Sequence, residues 1–371
     1  MGNWKNGELS DFVTLKRGFD LPQQKREDGQ VPIFSSSGIT GTHSTAMVKA
    51  PGVITGRYGT IGEVFYAAKD FWPLNTTLFV EDFHGNDAKF IYYFLKTLEW
   101  SKFTSASAVP GINRNTVHKE IVSLPDIETQ RRIASTLSMF DEKIKINTEI
   151  NDNLEQQAQS YFQELFVDNA DPEWTTGTIS DLGTVVGGST PSKAKPEYYT
   201  ESGIAWITPK DLSNNKSKFV SHGENDITEL GLRNSSASIM PEGTVLFSSR
   251  APIGYIAIAA GEVTTNQGFK SVVPKPEIGT PFVYFFLKNT LPVIEGMASG
   301  STFKEVSGST MKNVPAVIPD AETLAKFSDF CAPIFAQQRI LEEQNQSLAT
   351  LRDNLLPKLM SGEIDVSAVQ L

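Results

Sequence analysis

The sequence predicts an α+β protein: two similar mixed α/β modules, each followed by one long helix, with the two helices packed on each other. Three observations predict it. The chain repeats itself, since Trp4-Lys5-Asn6-Gly7-Glu8-Leu9-Ser10-Asp11 returns 170 residues later as Trp174-Thr175-Thr176-Gly177-Thr178-Ile179-Ser180-Asp181. In the same order Phe90–Lys96 returns as Phe282–Lys288, and Pro125–Thr129 as Pro319–Thr323. Finally, each half switches from short β-type runs to a helical hydrophobic period.

The first module, residues 1–126, contains the runs Val31–Phe34, Gly52–Thr55 and Thr77–Val80, punctuated by Asp28-Gly29 and Pro51-Gly52. Phe90–Lys96 is apolar on most faces, which predicts a short buried helix. Residues 127–168 then read as one long helix. From Ile127 to Phe166 there is neither Pro nor Gly, and a seam of alternating fours and threes runs through Ile133, Leu137, Phe140, Ile144, Asn147, Asn151 and Leu154. The second module, 169–320, repeats the scheme with Ile204–Ile207, Thr244–Phe247, Tyr255–Ile258 and Ser271–Val273, and Phe282–Lys288 is its short buried helix. Residues 321–371 hold the second long helix and a tail, with the seam Ile334, Leu341, Asn345, Leu348 and Leu355.

About 40 helical residues reach about 60 Å, too long for either module to bury alone. Packing the helices on each other is the economical solution. Asn151 and Asn345 occupy equivalent seam positions, and an antiparallel pairing would bring them together; facing water is the equal alternative. Pro333 and Pro357 are expected to kink the second helix or delay its start, and Ser361-Gly362 to end it.

At 371 residues with 39% hydrophobic and 20% charged residues, the chain is long enough for two cored domains. No run of 18 apolar residues predicts a membrane helix, and the start of the chain lacks the apolar core of a signal peptide. Cys331 is the only cysteine, so an intramolecular disulfide is excluded and a reducing cytoplasm is the expected setting. The net charge of −10 makes the isolated chain a weak polyanion binder. Seven of the ten excess negative charges fall in 127–168 and 321–371, however, which leaves the first module neutral.

Motifs for catalysis are missing. The sequence has no phosphate-binding Gly-x-x-x-x-Gly-Lys-Ser/Thr loop, no His-Glu-x-x-His and no Cys-x-x-Cys, so no catalytic and no metal-binding residue is assigned. Pro125-Asp126 followed by Asp141-Glu142-Lys143 has the outline of a nuclease pattern. Asp141 and Lys143 lie two apart on the long helix, though, and face different directions. The candidate residues are for recognition instead. In the first module they are Lys16, Arg17, Gln24, Lys25, Arg26, Ser36, Ser37, Arg57, Tyr58, Asn113 and Arg114. In the second they are Thr190, Ser192, Lys193, Lys195, Lys210, Ser249, Arg250, Thr302 and Lys304. Arg, Lys, Asn and Gln read base edges, while Ser, Thr and Lys hold phosphates. For any single residue a solvated loop is the plainer role, and Arg57 and Arg250 serve equally well as internal ion-pair residues.

With these residues in order, the chain resembles the specificity subunits of type I restriction–modification enzymes. The carriers are the two Trp-x-x-Gly-x-Ile/Leu-Ser-Asp openings, Arg57…Ile61-Gly62 with Arg250…Ile253-Gly254, Thr265–Phe269, Ile121–Gln130 and the tail Leu355–Ile364. The resemblance implies two target recognition domains, each reading half of a split, asymmetric double-stranded DNA site, and two helices in an antiparallel coiled coil that sets the spacer. It further implies docking of two methyltransferase subunits and association with restriction (translocase–nuclease) subunits. This chain itself would bind no cofactor, and S-adenosylmethionine, ATP and Mg2+ would belong to those partners. Service to a fused methyltransferase–nuclease is a close alternative; a bivalent scaffold or carbohydrate-binding protein is one from another class. The chain departs from the family pattern at Ala325, where the first half has Gln130, and at Pro333.

Overall fold

The computed structural model describes residues 4–104, 110–300 and 304–366. Its contacts divide the chain into two units, 1–145 with 346–371 and 146–345, so each long helix contributes a stretch to both.

Both units open on the same device. Lys5–Glu8 pairs antiparallel with Ile121–Leu124, and Thr175–Thr178 with Pro315–Ile318. Each opening strand runs into a four-residue helix, Leu9–Phe12 or Ile179–Leu182, begun by a reciprocal capping box. In it Asp11 accepts from the Glu8 N–H at 2.9 Å, and Asp181 from the Thr178 N–H at 2.8 Å. A Cβ on Gly7 or Gly177 would lie 2.7 Å from that carboxylate. The repeated Gly and Asp, four apart, are thus two parts of one cap.

The sheets repeat as well. In the first unit the strand order is Thr14–Arg17, Thr77–Asp82, Gly52–Gly56, Val64–Ala67, antiparallel throughout. In the second, Gly183–Gly187, Lys270–Pro274, Val245–Ser249 and Ile253–Ala259 repeat that order, and Phe219–Val220 adds a parallel edge. A smaller sheet joins each, built around Val31–Ser35 in the first unit and Ile204–Ile207 in the second. The β-type runs fall within these strands to about a residue. Ala88–Lys96 is the short buried helix expected. Its counterpart is longer than expected, Thr280–Gly296, because burial of Ile294 extends it through Pro292.

The long helices are Ile127–Gln163 and Ala321–Met360. Neither Pro333 nor Pro357 interrupts the second. Both are exposed, while Cys331, Ile334, Leu356 and Leu359 beside them are buried, so packing outweighs the local cost of proline. Within each unit the helix stretches run antiparallel. In the second unit Tyr161 and Phe162 meet Phe327, Glu155 meets Gln338, and Asn147 meets Asn345. The seam residues Ile133, Leu137, Ile334 and Leu341 are buried, and Phe140, Ile144, Asn151, Leu154, Asn345, Leu348 and Leu355 are half-buried.

The asparagine pairing differs from expectation by one turn. Asn147 Nδ2 donates to Asn345 Oδ1 at 2.9 Å, whereas Asn151 faces the Gln338 main chain. Equivalence in sequence therefore does not mean opposition in an antiparallel pair. Gln130 is also internal: it is buried, accepts from the Asp87 N–H and donates to Asn86 Oδ1 and Pro125 O. At the repeat's offset its counterpart is Leu324 and not Ala325, and Leu324 is buried in the second unit's core, so an internal polar staple gives way to an apolar core residue.

The two units lock their helix stretches with opposite chemistry. In the first, Arg352 Nη1 lies 2.5 Å from Asp141, which also accepts from the Tyr93 hydroxyl. The repeat places Phe285, Phe335 and Ala158 at the positions of Tyr93, Asp141 and Arg352, and all three sit in the second unit's apolar core. The second unit uses charge elsewhere. Lys218 Nζ, almost fully buried, lies 2.8 Å from Glu155, 2.9 Å from Gln338 Oε1 and 3.5 Å from the Phe335 ring centroid. Lys288 reaches the other Glu155 oxygen at 2.5 Å. Burial pushes the Lys218 ammonium down to about 8. Burial also works to raise the Glu155 carboxyl, but Lys218 and Lys288 together hold it below its ordinary value. The first unit has Ala349 and Ile144 where the second has Glu155 and Gln338.

Because removing one member of a half-buried pair strands the other, Arg352→Ala alone is expected to destabilise the first unit by about 2 kcal/mol in urea denaturation. Combining it with Asp141→Phe and Tyr93→Phe, which installs the second unit's solution, should restore most of that loss. A triple variant no more stable than the single one would show that the two locks are not interchangeable.

Candidate functional site

Each unit carries a concave surface beside the loop that leaves the third strand of its larger sheet. In the first unit Lys16 and Arg17 end the edge strand Thr14–Arg17, and a side chain on the next residue, Gly18, would collide with the Pro73 and Leu74 carbonyls. Arg57 and Tyr58 leave strand Gly52–Gly56, and both N–H groups donate to the Thr76 carbonyl. The Arg57 guanidinium stacks 4.5 Å over the Tyr58 ring, and the absence of a side chain at Gly111 leaves room for that ring. Ile112 N–H donates to the Arg57 carbonyl at 3.0 Å, which brings Asn113 and Arg114 alongside. Asn113 caps the helix Arg114–His118 through the Asn115 N–H. The result is a groove of about 750 Å³ shared by Lys16, Arg17, Arg57, Tyr58, Asn113 and Arg114.

Five predicted residues of this unit lie outside the groove. Gln24 and Lys25 are exposed on a single turn, and Arg26 donates to the Thr40 carbonyl. Ser36 and Ser37 form the tip of the hairpin Val31–His43, where Ser36 Oγ borders Gly59 of the Arg57 loop.

In the second unit Thr190, Lys193, Lys210 and Arg250 line a cavity of about 470 Å³, with Trp206, Asn225, Asn266 and Gln267 as walls. Arg250 also borders an adjoining hollow with Lys304. Here the cations are largely engaged: Lys210 lies 2.6 Å from Glu224, and Arg250 3.4 Å from Glu305. Arg250 is therefore an ion-pair residue, while Arg57 stacks on an aromatic ring. Lys195 turns to the Tyr198 hydroxyl at 3.0 Å, and both it and Ser192 lie outside the cavity. Ser249 corrects an expectation. It is fully buried and its hydroxyl donates to the Gly268 carbonyl, because it closes the strand instead of starting the loop. Thr302 lies outside the described residues.

Sequence reasoning passed over Trp206, Asn225, Asn266 and Gln267. Thr265–Phe269 stood out in the sequence, but only as part of a resemblance, and its place beside Arg250 comes from the strand crossing between them. Among the described residues no cluster of His, Cys, Asp and Glu is arranged to hold a metal ion, and no helix is long and apolar enough to cross a membrane.

Comparison with known proteins agrees with the duplicated architecture. The type I restriction modification DNA specificity domain matches residues 1–156 and again 172–351. The MjaIX specificity subunit of Methanocaldococcus jannaschii is 39% identical over 194 residues, which is 50% of this chain and 45% of that protein. The matched part is thus under half the length of that relative. The HindI specificity subunit of Haemophilus influenzae is 24% identical over 347 residues, 72% of this chain and 75% of the relative. In fold, the chain is similar to the crystal structure of a type I restriction–modification S subunit from M. genitalium, with a TM-score of 0.64, 19% identity and 96% of each chain covered.

His118 gives the first groove a pH dependence. Its Nε2 accepts from the Leu15 N–H at 2.9 Å, holding the Arg114 helix against the Lys16 strand, and this requires a neutral ring. Burial, then the charges of Arg114 and His84, depress its pKa below 6.5. A depressed folded-state pKa contributes stability that is complete above the unfolded value and is lost as pH falls through the folded one. The His118 imidazole resonance should therefore titrate below pH 6.5, with the stability of the first unit falling on further acidification and that fall diminished in His118→Ala. A midpoint at or above 6.5 would contradict the assigned bond.

Proposed function

The chain belongs to the type I restriction modification DNA specificity family, and from that premise we propose that it is the non-catalytic sequence-specificity subunit of such a complex. Each groove takes one half of a bipartite double-stranded DNA site, and the long helices dock two methyltransferase subunits, with restriction subunits completing the assembly. S-adenosylmethionine, ATP and Mg2+ are assigned to those partners. The observation that carries this is that each repeat has a groove beside the equivalent loop, at Arg57-Tyr58 and Arg250-Ala251, with different side chains lining it. Two readers on one framework with different side chains fit an asymmetric target.

The electrostatics support recognition within an assembly. Around the first groove Lys16 and Arg17 have acidic neighbours in Glu81 and Asp20, as Lys210 and Arg250 do in the second. Phosphate contacts must displace these partners, so an isolated chain of net charge −10 binds DNA weakly. Basic surfaces on partner subunits would supply what it lacks.

The chain assembled with its methyltransferase partner should bind one bipartite duplex at least about a thousandfold more tightly than random duplex at physiological salt, in a competition gel shift. Equal affinity for both would exclude the specificity role. Excising one turn from each helix, 143–146 and 347–350, shortens them by about 6 Å each. The preferred spacer should then change while both half-sites stay the same; altered half-sites with the old spacer would show that the helices do not set it.

A further inference from the structure

The repeat pairs two side chains, neither of them among the residues predicted for the grooves. Gly18 and Gly188 follow equivalent edge strands, and each is crowded by two successive carbonyls: Pro73 and Leu74 for the first, Thr265 and Asn266 for the second. That match aligns Trp72-Pro73 with Thr264-Thr265, the two short parallel strands that pair with Ile33-Phe34 and Trp206-Ile207. The next residue along is Asn75 in the first unit and Gln267 in the second. Two residues beyond the crowded glycines stand Asp20 and Thr190. Asn75 is hydrogen-bonded to Asp20, and Gln267 to Thr190. Asp20 lines the first groove, and Thr190 and Gln267 both line the second. Each unit therefore holds one carboxamide at the same place in its fold, oriented by a partner from the same neighbouring segment.

The partners orient the two amides in opposite senses. An ionised carboxylate only accepts, so Asn75 turns its nitrogen to Asp20 and its oxygen away. Thr190 donates its hydroxyl to Gln267 Oε1, so the Gln267 amide nitrogen is turned away. The second turn is held by three hydrogen bonds. Asn266 N–H donates to the Ile207 carbonyl, Gly268 N–H to Asn266 Oδ1, and Ser249 N–H to the Gly268 carbonyl. Gln267 itself is exposed.

Resting on the assignment of the grooves as DNA readers, we propose that Asn75 and Gln267 are matched specificity-determining residues with opposite hydrogen-bonding sense. Asn75 presents an acceptor and selects a base with an exocyclic amine in the major groove. Gln267 presents a donor and selects an acceptor edge.

The test is methylation of a duplex library, randomised one half-site position at a time, by the chain assembled with its methyltransferase partner. Gln267→Ala should relax one position of one half-site by about tenfold and leave the other half-site and the salt dependence of binding unchanged. Gln267→Glu keeps the shape but replaces the donor by an acceptor, and should shift preference at that position toward an amino-bearing base. Asn75→Ala should relax one position of the other half-site. Asp20→Thr, which supplies the second unit's partner, should invert the preference there. Variants that keep every base preference, or that weaken all sequences equally, would overturn the proposal while leaving the specificity role standing. A wild-type complex indifferent to sequence would overturn both.

Discussion

Antiparallel packing of the two long helices is the constraint on which the other features depend. Each unit takes a stretch from both helices, so neither core closes without chain from the far part of the sequence. In the first unit Leu356, Leu359 and Met360 share a core with Leu9, Phe90 and Ile133. In the second, Ala158 and Phe162 share one with Phe282, Phe327 and Cys331. A helix pair held only by interchangeable apolar residues would leave its register weakly specified. The polar contacts at Asp141–Arg352, Asn147–Asn345 and Glu155–Lys218–Gln338 supply that register.

These contacts also show how a duplicated fold diverges. A half-buried ion pair in one repeat is an aromatic core in the other, and the buried lysine network of the second has alanine and isoleucine counterparts in the first. Burying a charge is costly unless it is paired, so such positions change as sets. The backbone framework is more conservative. The Gly–Asp caps and the crowded glycines recur in both units because they answer to main-chain geometry, which a change of ligand leaves alone.

Much of this was legible in the sequence. The modules, the two helices and most seam residues follow from periodicity, since burial along a helix leaves a direct imprint on spacing. Six of the eleven candidates in the first unit share one groove, because loops rich in Arg, Asn and Gly cluster where strands end. Other features were hidden. Ser249 belongs to a loop-like string yet is fully buried, and Asn75 lies in an ordinary Asn-Thr-Thr run. Their surroundings come from residues distant in the chain.

By itself the sequence determined that the chain is double, that each half is a mixed module followed by a long helix, and which face of each helix is apolar. Those are properties of local spacing and self-similarity. Only the tertiary structure decided that Asn147, not Asn151, meets Asn345, that proline leaves the second helix continuous, and that one amide in each unit is oriented by a partner on a neighbouring segment. Register, burial and hydrogen-bond direction are set by which distant segments come together, and no local pattern records that.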